Sequence, residues 1–266
     1  MIIPIDDPAD PRVAAYRDVR ERDLVGREGL FVAEGEVVLN VLTRSTLAEP
    51  VSLMIAQKRV AGLAHLLEQL ADDVPVYAAS QAAMDAVVGF PIHRGILALG
   101  RRRDPPDART LLAGLGEGAL VLALSGIANH DNMGGLFRNA AAFGADAVLL
   151  DSDCCDPLYR KAIRVSVGAV LATPFAAGAG DLLEVLGDAG FTTVALSPSG
   201  ATRLVDLKRS SKTAVLLGAE GPGLAASVLA RATTVAIPMA TGFDSLNVAT
   251  TAGIVLHHLA FAAERP

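Results

Sequence analysis

The sequence predicts an α/β protein in two parts, and three observations carry that prediction. Short apolar segments of about four to seven residues alternate with helical stretches along the whole chain. In the second half these segments are apolar throughout, as expected of parallel strands covered by helices on both faces. The chain has 266 residues, 52% hydrophobic and 20% charged, enough for two domains with a sizeable core. That composition excludes a disordered or fibrous chain. Aromatic residues make up 4%, with no Trp, which argues against aromatic base stacking as the main binding mode. The net charge of −6 argues against a general polyanion binder.

The first part opens with a charged helix around Ala14–Leu24. Its Arg17, Arg20 and Arg22, with Arg27 just beyond, are interleaved with acids and read as a solvated face. A strand at Leu30–Ala33, a helix at Glu36–Leu42 and a strand at Val51–Ala56 follow. Then come a helix at Ala61–Leu70, a strand at Val74–Tyr77, a helix at Gln81–Val88 and a strand at Gly95–Leu99. The stretch Arg101-Arg102-Arg103-Asp104-Pro105-Pro106-Asp107 opens a linker: its prolines lack a backbone donor and disfavour helix before them. The divisions are a domain at 1–105, a linker at 106–118 and a domain at 119–266. Residues 1–105 hold 12 Lys+Arg and 15 Asp+Glu, and residues 106–266 hold 11 and 14, so each part carries −3.

The second part places strands at Leu120–Leu124, Ala147–Leu150, Thr192–Leu196, Ala214–Leu217 and Thr234–Ile237. Ser245–Ala263 reads as a helix with Leu246, Ala249, Gly253, Leu256 and Ala260 on one stripe. Its small residues permit close packing, either in the core or at a dimer interface. Cys154 and Cys155 are adjacent, which disfavours a structural disulfide, and no zinc spacing or other metal site is suggested. The Asp- and Pro-rich start lacks the basic-then-apolar pattern of a signal peptide, and Val248–Ala263 is shorter than a membrane span. The expectation is a soluble cytoplasmic protein.

Three strings stand out, each at the C-terminal end of an expected strand, where ligands bind in open α/β sheets. The first is Asn129-His130-Asp131-Asn132-Met133-Gly134-Gly135-Leu136-Phe137-Arg138. A helix is expected to start near Gly134 with Asn132 as its cap, and Arg138 offers a fork suited to phosphate or a developing oxyanion. The second is Gly218-Ala219-Glu220-Gly221-Pro222-Gly223, a tight turn whose carboxylate rules out a pyrophosphate cradle. The third runs from Ile237-Pro238-Met239 to Ser245-Leu246-Asn247-Val248, with Ser245 as the expected helix cap.

In that order, these strings closely resemble the three motifs of the SpoU (TrmH-type) branch of the SPOUT superfamily, S-adenosylmethionine-dependent RNA 2′-O-methyltransferases. Asn132 to Arg138 is similar to the family's Asn-x-Gly-x-x-x-Arg. Gly218 to Gly223 is similar to its Gly-x-Glu-Gly-x-Gly. The last string is similar to its Ile-Pro-Met followed, after a short loop, by Ser-Leu-Asn-Val. A further Ser-x-Gly-Ala element is matched by Ser166-Val167-Gly168-Ala169. One departure is Asn129-His130-Asp131, where many relatives carry Asp-Pro. The first part resembles the small ribosomal-protein-L30-like RNA-binding domain through Phe31-Val32-Ala33-Glu34-Gly35 and His93-Arg94-Gly95-Ile96-Leu97-Ala98.

The resemblance implies a parallel sheet flanked by helices and tied in a deep C-terminal trefoil knot, and a homodimer that shares its active sites. It implies S-adenosylmethionine held at Gly218, Ile237 and Leu246, with Ser197, Gly200 and Met239 beside them. It implies catalysis at Arg138, with Asn132 orienting that arginine or the ribose, Glu220 anchoring the arrangement, and Ser245 and Asn247 hydrogen-bonding nucleotide or donor. The substrate would be a ribose 2′-hydroxyl of rRNA or tRNA. The competing readings are a knotted enzyme that methylates a base, and a catalytically silent RNA-binding relative. Net charge excludes only a uniformly basic surface. RNA contact is expected from a few focused cations: Arg138, Arg160, Lys161, Arg164 and Arg101–Arg103.

Overall fold

The computed structural model describes residues 2–17, 29–89, 91–242 and 245–261. In chain order the elements are β1 (Ile2–Ile5), β2 (Leu30–Glu34), α1 (Glu36–Thr43), β3 (Ala48–Ala56), α2 (Ala64–Leu67), β4 (Val76–Ala79), α3 (Gln81–Val88) and β5 (Ile96–Arg102). They continue with α4 (Ala108–Ala113), β6 (Leu120–Leu124), α5 (His130–Ala142), β7 (Ala147–Leu150), α6 (Arg160–Val165), β8 (Phe175–Ala176) and α7 (Leu182–Asp188). The last are β9 (Thr192–Leu196), β10 (Thr202–Arg203), β11 (Thr213–Leu217), α8 (Ala226–Leu229), β12 (Thr233–Ala236) and α9 (Val248–Phe261). Among the described residues, no helix is long and apolar enough to cross a membrane.

Two compact units emerge. The first comprises residues 1–104 together with 158–172; the second comprises 105–157 and 173–266. The segment 158–172, read from sequence as part of the second half, therefore groups with the first unit. Within that unit it is held by Ser45 Oγ, which donates to the Leu171 carbonyl at 2.5 Å, and by Gly168 against Val41.

The first unit is a mixed five-stranded sheet in the order β1-β4-β3-β5-β2, with β5 antiparallel to both neighbours. Its core gathers Tyr16, Met54, Tyr77, Met84 and Leu97. The buried Tyr16 hydroxyl is satisfied by Ser52 Oγ at 2.7 Å and by the Leu99 amide at 3.3 Å. α3 begins at Ser80, whose Oγ accepts from the Ala83 amide, and stops at Gly89 in the left-handed conformation (φ 82). Pro11–Tyr16 forms a 3-10 turn where the sequence predicts a longer helix. The rest of that expected helix, with Arg20, Arg22 and Arg27, lies outside the described residues. The expected Ala61–Leu70 helix is a 3-10 turn running into the four-residue α2.

The second unit is a seven-stranded sheet in the order β10-β12-β9-β11-β6-β7-β8, parallel at every pairing. All five residues of β6 are 0% exposed. Full burial of an apolar side chain of this size contributes about 1.5–3 kcal/mol, so the uniformly apolar runs are what a doubly covered strand requires. Because the strands are parallel, the C-terminal ends of β6, β9, β11 and β12 share one edge.

α5 starts four residues earlier than Gly134. Its cap is Asn129, whose side chain accepts from the Asp131 and Asn132 amides, not Asn132 itself. It buries Asn132, Met133, Leu136, Phe137 and Ala140 on one stripe, and the Phe137 ring meets Phe175 edge-on at 5.4 Å. α9 starts at Val248, and Asn247 rather than Ser245 caps it: Asn247 Oδ1 accepts from the Ala249 and Thr250 amides at 2.9 and 3.2 Å. Its most buried residues are Val248, Ala252, Val255, Leu256 and Leu259. The expected small-residue stripe lies beside them and faces α5. A Cβ on Gly135 would stand 2.8 Å from the Ala249 Cβ, and Asn139 Nδ2 donates to the Ala249 carbonyl at 2.6 Å. The end of the expected helix past Phe261 lies outside the described residues.

Both cysteines are unpaired. Burial pushes the Cys154 thiol up to about 12 and the Cys155 thiol up to about 11. At pH 8 both thiols therefore stay protonated, and iodoacetamide is expected to label them at least about tenfold more slowly than in urea. Equal rates would contradict the burial. Gly135→Val is expected to cost about 1–3 kcal/mol in urea unfolding by forcing α5 and α9 apart. Gly116→Ala, whose added carbon meets nothing, is expected to stay within about 0.5 kcal/mol of wild type.

Candidate active site

The C-terminal edge of the second sheet carries a cavity of about 300 Å³. Three loops shape it, and each leaves a strand at that edge.

The loop after β9 turns at Ser197–Gly200, with the Gly200 amide donating to the Ser197 carbonyl at 3.0 Å. Gly200 lies against β12 so closely that a Cβ would run into the Val235 backbone. Ser197 lines the cavity; Gly200 shapes the turn from behind. The loop after β11 folds back at Gly218–Gly223, where the Gly223 amide donates to the Ala219 carbonyl at 3.1 Å. A Cβ on Gly218 would come within 2.5 Å of the Gly223 carbonyl carbon, so only glycine fits. Gly221 and Gly223 both take positive φ, 86 and 66, as this turn demands. The loop after β12 contributes Ile237 and Met239 and then returns with Ser245 and Leu246.

Seven of the expected site residues thus line one cavity: Ser197, Gly218, Glu220, Ile237, Met239, Ser245 and Leu246. Sequence reasoning missed Leu196, Leu217 and Val248, which add to the apolar lining. They are strand ends and helix starts whose only signal is apolarity next to a motif. Among the described residues lining the cavity, Glu220 is the one ionisable group. The cavity therefore suits a ligand with a flat apolar portion and a positively charged portion.

A side-chain network at the mouth joins the three motifs. Asn132 Nδ2 donates to Glu220 Oε1. Asn247 Nδ2 donates to Asn132 Oδ1 at 2.8 Å and to Glu220 Oε1 at 3.4 Å. Asn132 is 7% exposed, so its amide needs both partners. Asn247 uses both amide hydrogens on the network and its carbonyl oxygen on the α9 cap. Its hydrogen-bonding capacity is filled within the chain, which makes it a positioning residue.

Arg138 stands apart from this group. It lies six residues beyond Asn132 on α5, about 9 Å along the helix. Its side chain is exposed and does not line the cavity.

Comparisons with known proteins place the chain in a family. The SpoU rRNA Methylase family model matches residues 119–257. A protein of Mycobacterium bovis described as an uncharacterized tRNA/rRNA methyltransferase is 39% identical over 263 residues, covering 94% of this chain and 89% of its own. The crystal structure of an AdoMet-bound rRNA methyltransferase from Sinorhizobium meliloti superposes with a TM-score of 0.83 at 22% identity, covering 100% of this chain and 99% of that one. The structure of an RNA 2′-O ribose methyltransferase gives 0.79 at 23% identity, covering 98% and 99%. At these identities the two structures establish a shared fold. With the family match spanning the cavity, the three motifs and the whole parallel sheet, the chain belongs to the SpoU rRNA methylase family.

Proposed function

We propose that this protein transfers a methyl group from S-adenosylmethionine to a ribose 2′-hydroxyl of structured tRNA or rRNA, in the cytoplasm. The observation that carries the reading is the cavity beside the interlocked motif residues, with Glu220 as the one ionisable group among the described residues that line it.

When bound, S-adenosylmethionine supplies an electrophilic methyl group on a positively charged sulfur. The residues present fit it. Leu217, Ile237, Met239 and Leu246 line the cavity and would hold its adenine ring, with backbone groups of the Gly218 turn and after Ile237 as polar partners. Glu220 would offset the positive charge and is itself held by the side-chain amides of Asn132 and Asn247. Ser245 lies at the rim, positioned to hydrogen-bond the reacting nucleotide.

Arg138 would hold the phosphate next to the reacting ribose and stabilise the alkoxide forming at the 2′-oxygen. A guanidinium stays protonated, so it serves as a charge rather than a base. Its exposure on α5 suits a group that meets RNA rather than donor. The names of the relatives support RNA as the substrate class, and the superposed 2′-O ribose enzyme supports the hydroxyl over a base.

The trefoil knot and the L30-like character of the first unit belong to the same proposal, as does a homodimer that completes each site. Ile254 and Phe261 support the dimer: they leave large apolar surface on α9, 38% and 44% exposed. Ile254→Glu is expected to convert a dimer to a monomer in analytical ultracentrifugation; a wild-type monomer would remove this part of the proposal.

Calorimetry is expected to detect S-adenosylmethionine binding to wild type and to Arg138→Ala, and to lose it in Gly218→Ala. Methyl transfer to an RNA substrate, read by nucleoside digestion and mass spectrometry, is expected to fall about 10²–10³-fold in Arg138→Ala. Label on a base, or full turnover by Arg138→Ala, would contradict the reading.

A further inference from the structure

The first unit contains a second cavity, of about 450 Å³, which the methyl-transfer reading does not use. Lys58, Arg59, His93, Arg94 and Arg164 line it, and Glu36 is the one carboxylate among its lining residues. Glu36 pairs with Arg59 Nη2 at 2.7 Å, so among the described residues lining the cavity no carboxylate is left to pair with Lys58, Arg94 or Arg164. Asp85 is the other acid nearby: its charge acts on His93 and Lys58, and it accepts from Gln81 Nε2 and the Ile92 amide. Arg59 Nε is buried without a hydrogen-bond partner, an arrangement that costs free energy unless a ligand supplies the acceptor.

The backbone around the cavity is shaped for an anion as well. α1 begins at Gly35 (φ 96) with no side-chain cap, so its first amides remain open at Glu36 and Val37 on the cavity wall. A Cβ on Gly35 would stand 2.9 Å from Arg94 Cδ and Nη1, so the arginine lies across the head of this helix. Val167, which also lines the cavity, has φ 56, a conformation that β-branched residues rarely adopt. Bonds from the Val167 amide to the Arg164 carbonyl and from Gly168 to Ile163 hold this strained turn, and the turn fixes Arg164 at the cavity. The Ser166-Val167-Gly168-Ala169 element thus serves the first unit, within which it packs.

We propose that this cavity is a phosphate-binding subsite that takes a phosphodiester of the RNA substrate. The proposal rests on the reading of the protein as an RNA methyltransferase and adds a named anchoring site to it. Lys58, His93, Arg94 and Arg164 are exposed, so their neutral replacements are expected to leave the fold intact.

The test is filter binding of radiolabelled, deproteinised bulk tRNA and rRNA to wild type and to the Arg94→Gln/Arg164→Gln double variant. The variant is expected to bind about tenfold more weakly at about 100 mM salt, with a log–log salt slope shallower by about 1–2. Its thermal melt and its calorimetric affinity for S-adenosylmethionine are expected to match wild type. Wild-type affinity and slope in the variant would overturn the subsite while leaving the methyltransferase reading intact. Failure of wild type itself to bind any RNA would instead overturn the reading on which the subsite rests. Calorimetry with uridine 5′-monophosphate separates the two phosphate sources. Tight binding of this nucleotide that disappears in the variant would assign the cavity to free nucleotides and overturn the RNA proposal.

Discussion

The amide–carboxylate network of Asn132, Glu220 and Asn247 is the interaction on which the catalytic half depends. It joins residues 88 and 115 positions apart in sequence: Asn132 in the first turn of α5 after β6, Glu220 in the loop after β11, and Asn247 at the cap of α9 after β12. Asn132 is nearly buried, so any loop that drifts leaves a desolvated amide without a partner. The parallel register of β6 with β11 puts the roots of two of these loops side by side, and β9 separates β11 from β12. The network then fixes what the strands leave free: how the loops close over the cavity.

Helix packing serves the same end. Asn132 rides on α5 and Asn247 caps α9, so the distance between those helices sets the length of the Asn132–Asn247 bond. Gly135 and Ala249 let the helices approach, and Asn139 ties them with a side-chain bond to the Ala249 carbonyl. Small residues that read as generic helix packing are in this way part of the site. Glycine has the same double role in the loops: Gly218 and Gly200 each lie against backbone that a Cβ would strike.

Much of this is legible in sequence, for physical reasons that differ by element. The strands at β6, β7 and β11 can be read because burial on both faces leaves mostly apolar residues in them. β1 escapes a sequence reading because Ile2-Ile3-Pro4-Ile5 contains a proline. It is an edge strand, where a missing donor is tolerated. β8 and β10 are two residues each, too short for any periodicity. Both helix caps are displaced by two or three residues from their expected positions. At α5 two capping residues compete, and Asn132 is engaged by Glu220 and Asn247, which leaves the capping role to Asn129; at α9 Asn247 does both, its Nδ2 on the network and its Oδ1 on the cap. The grouping of 158–172 with the first unit has no local signal, because it rests on contacts with Val41 and Ser45. Motif spacing marks the site residues. Their division into cavity wall, network and the outlying Arg138 comes only from the fold.

The network claim is tested most directly by a double-mutant cycle on donor affinity. S-adenosylmethionine binding would be measured by calorimetry for wild type, Asn132→Ala, Asn247→Ala and the double variant. If the two amides act as one unit, each single variant loses most of what the double variant loses, and the coupling energy exceeds about 0.5 kcal/mol. Losses that add to within about 0.3 kcal/mol would mean that the loops are held independently, and would contradict the role assigned to the network.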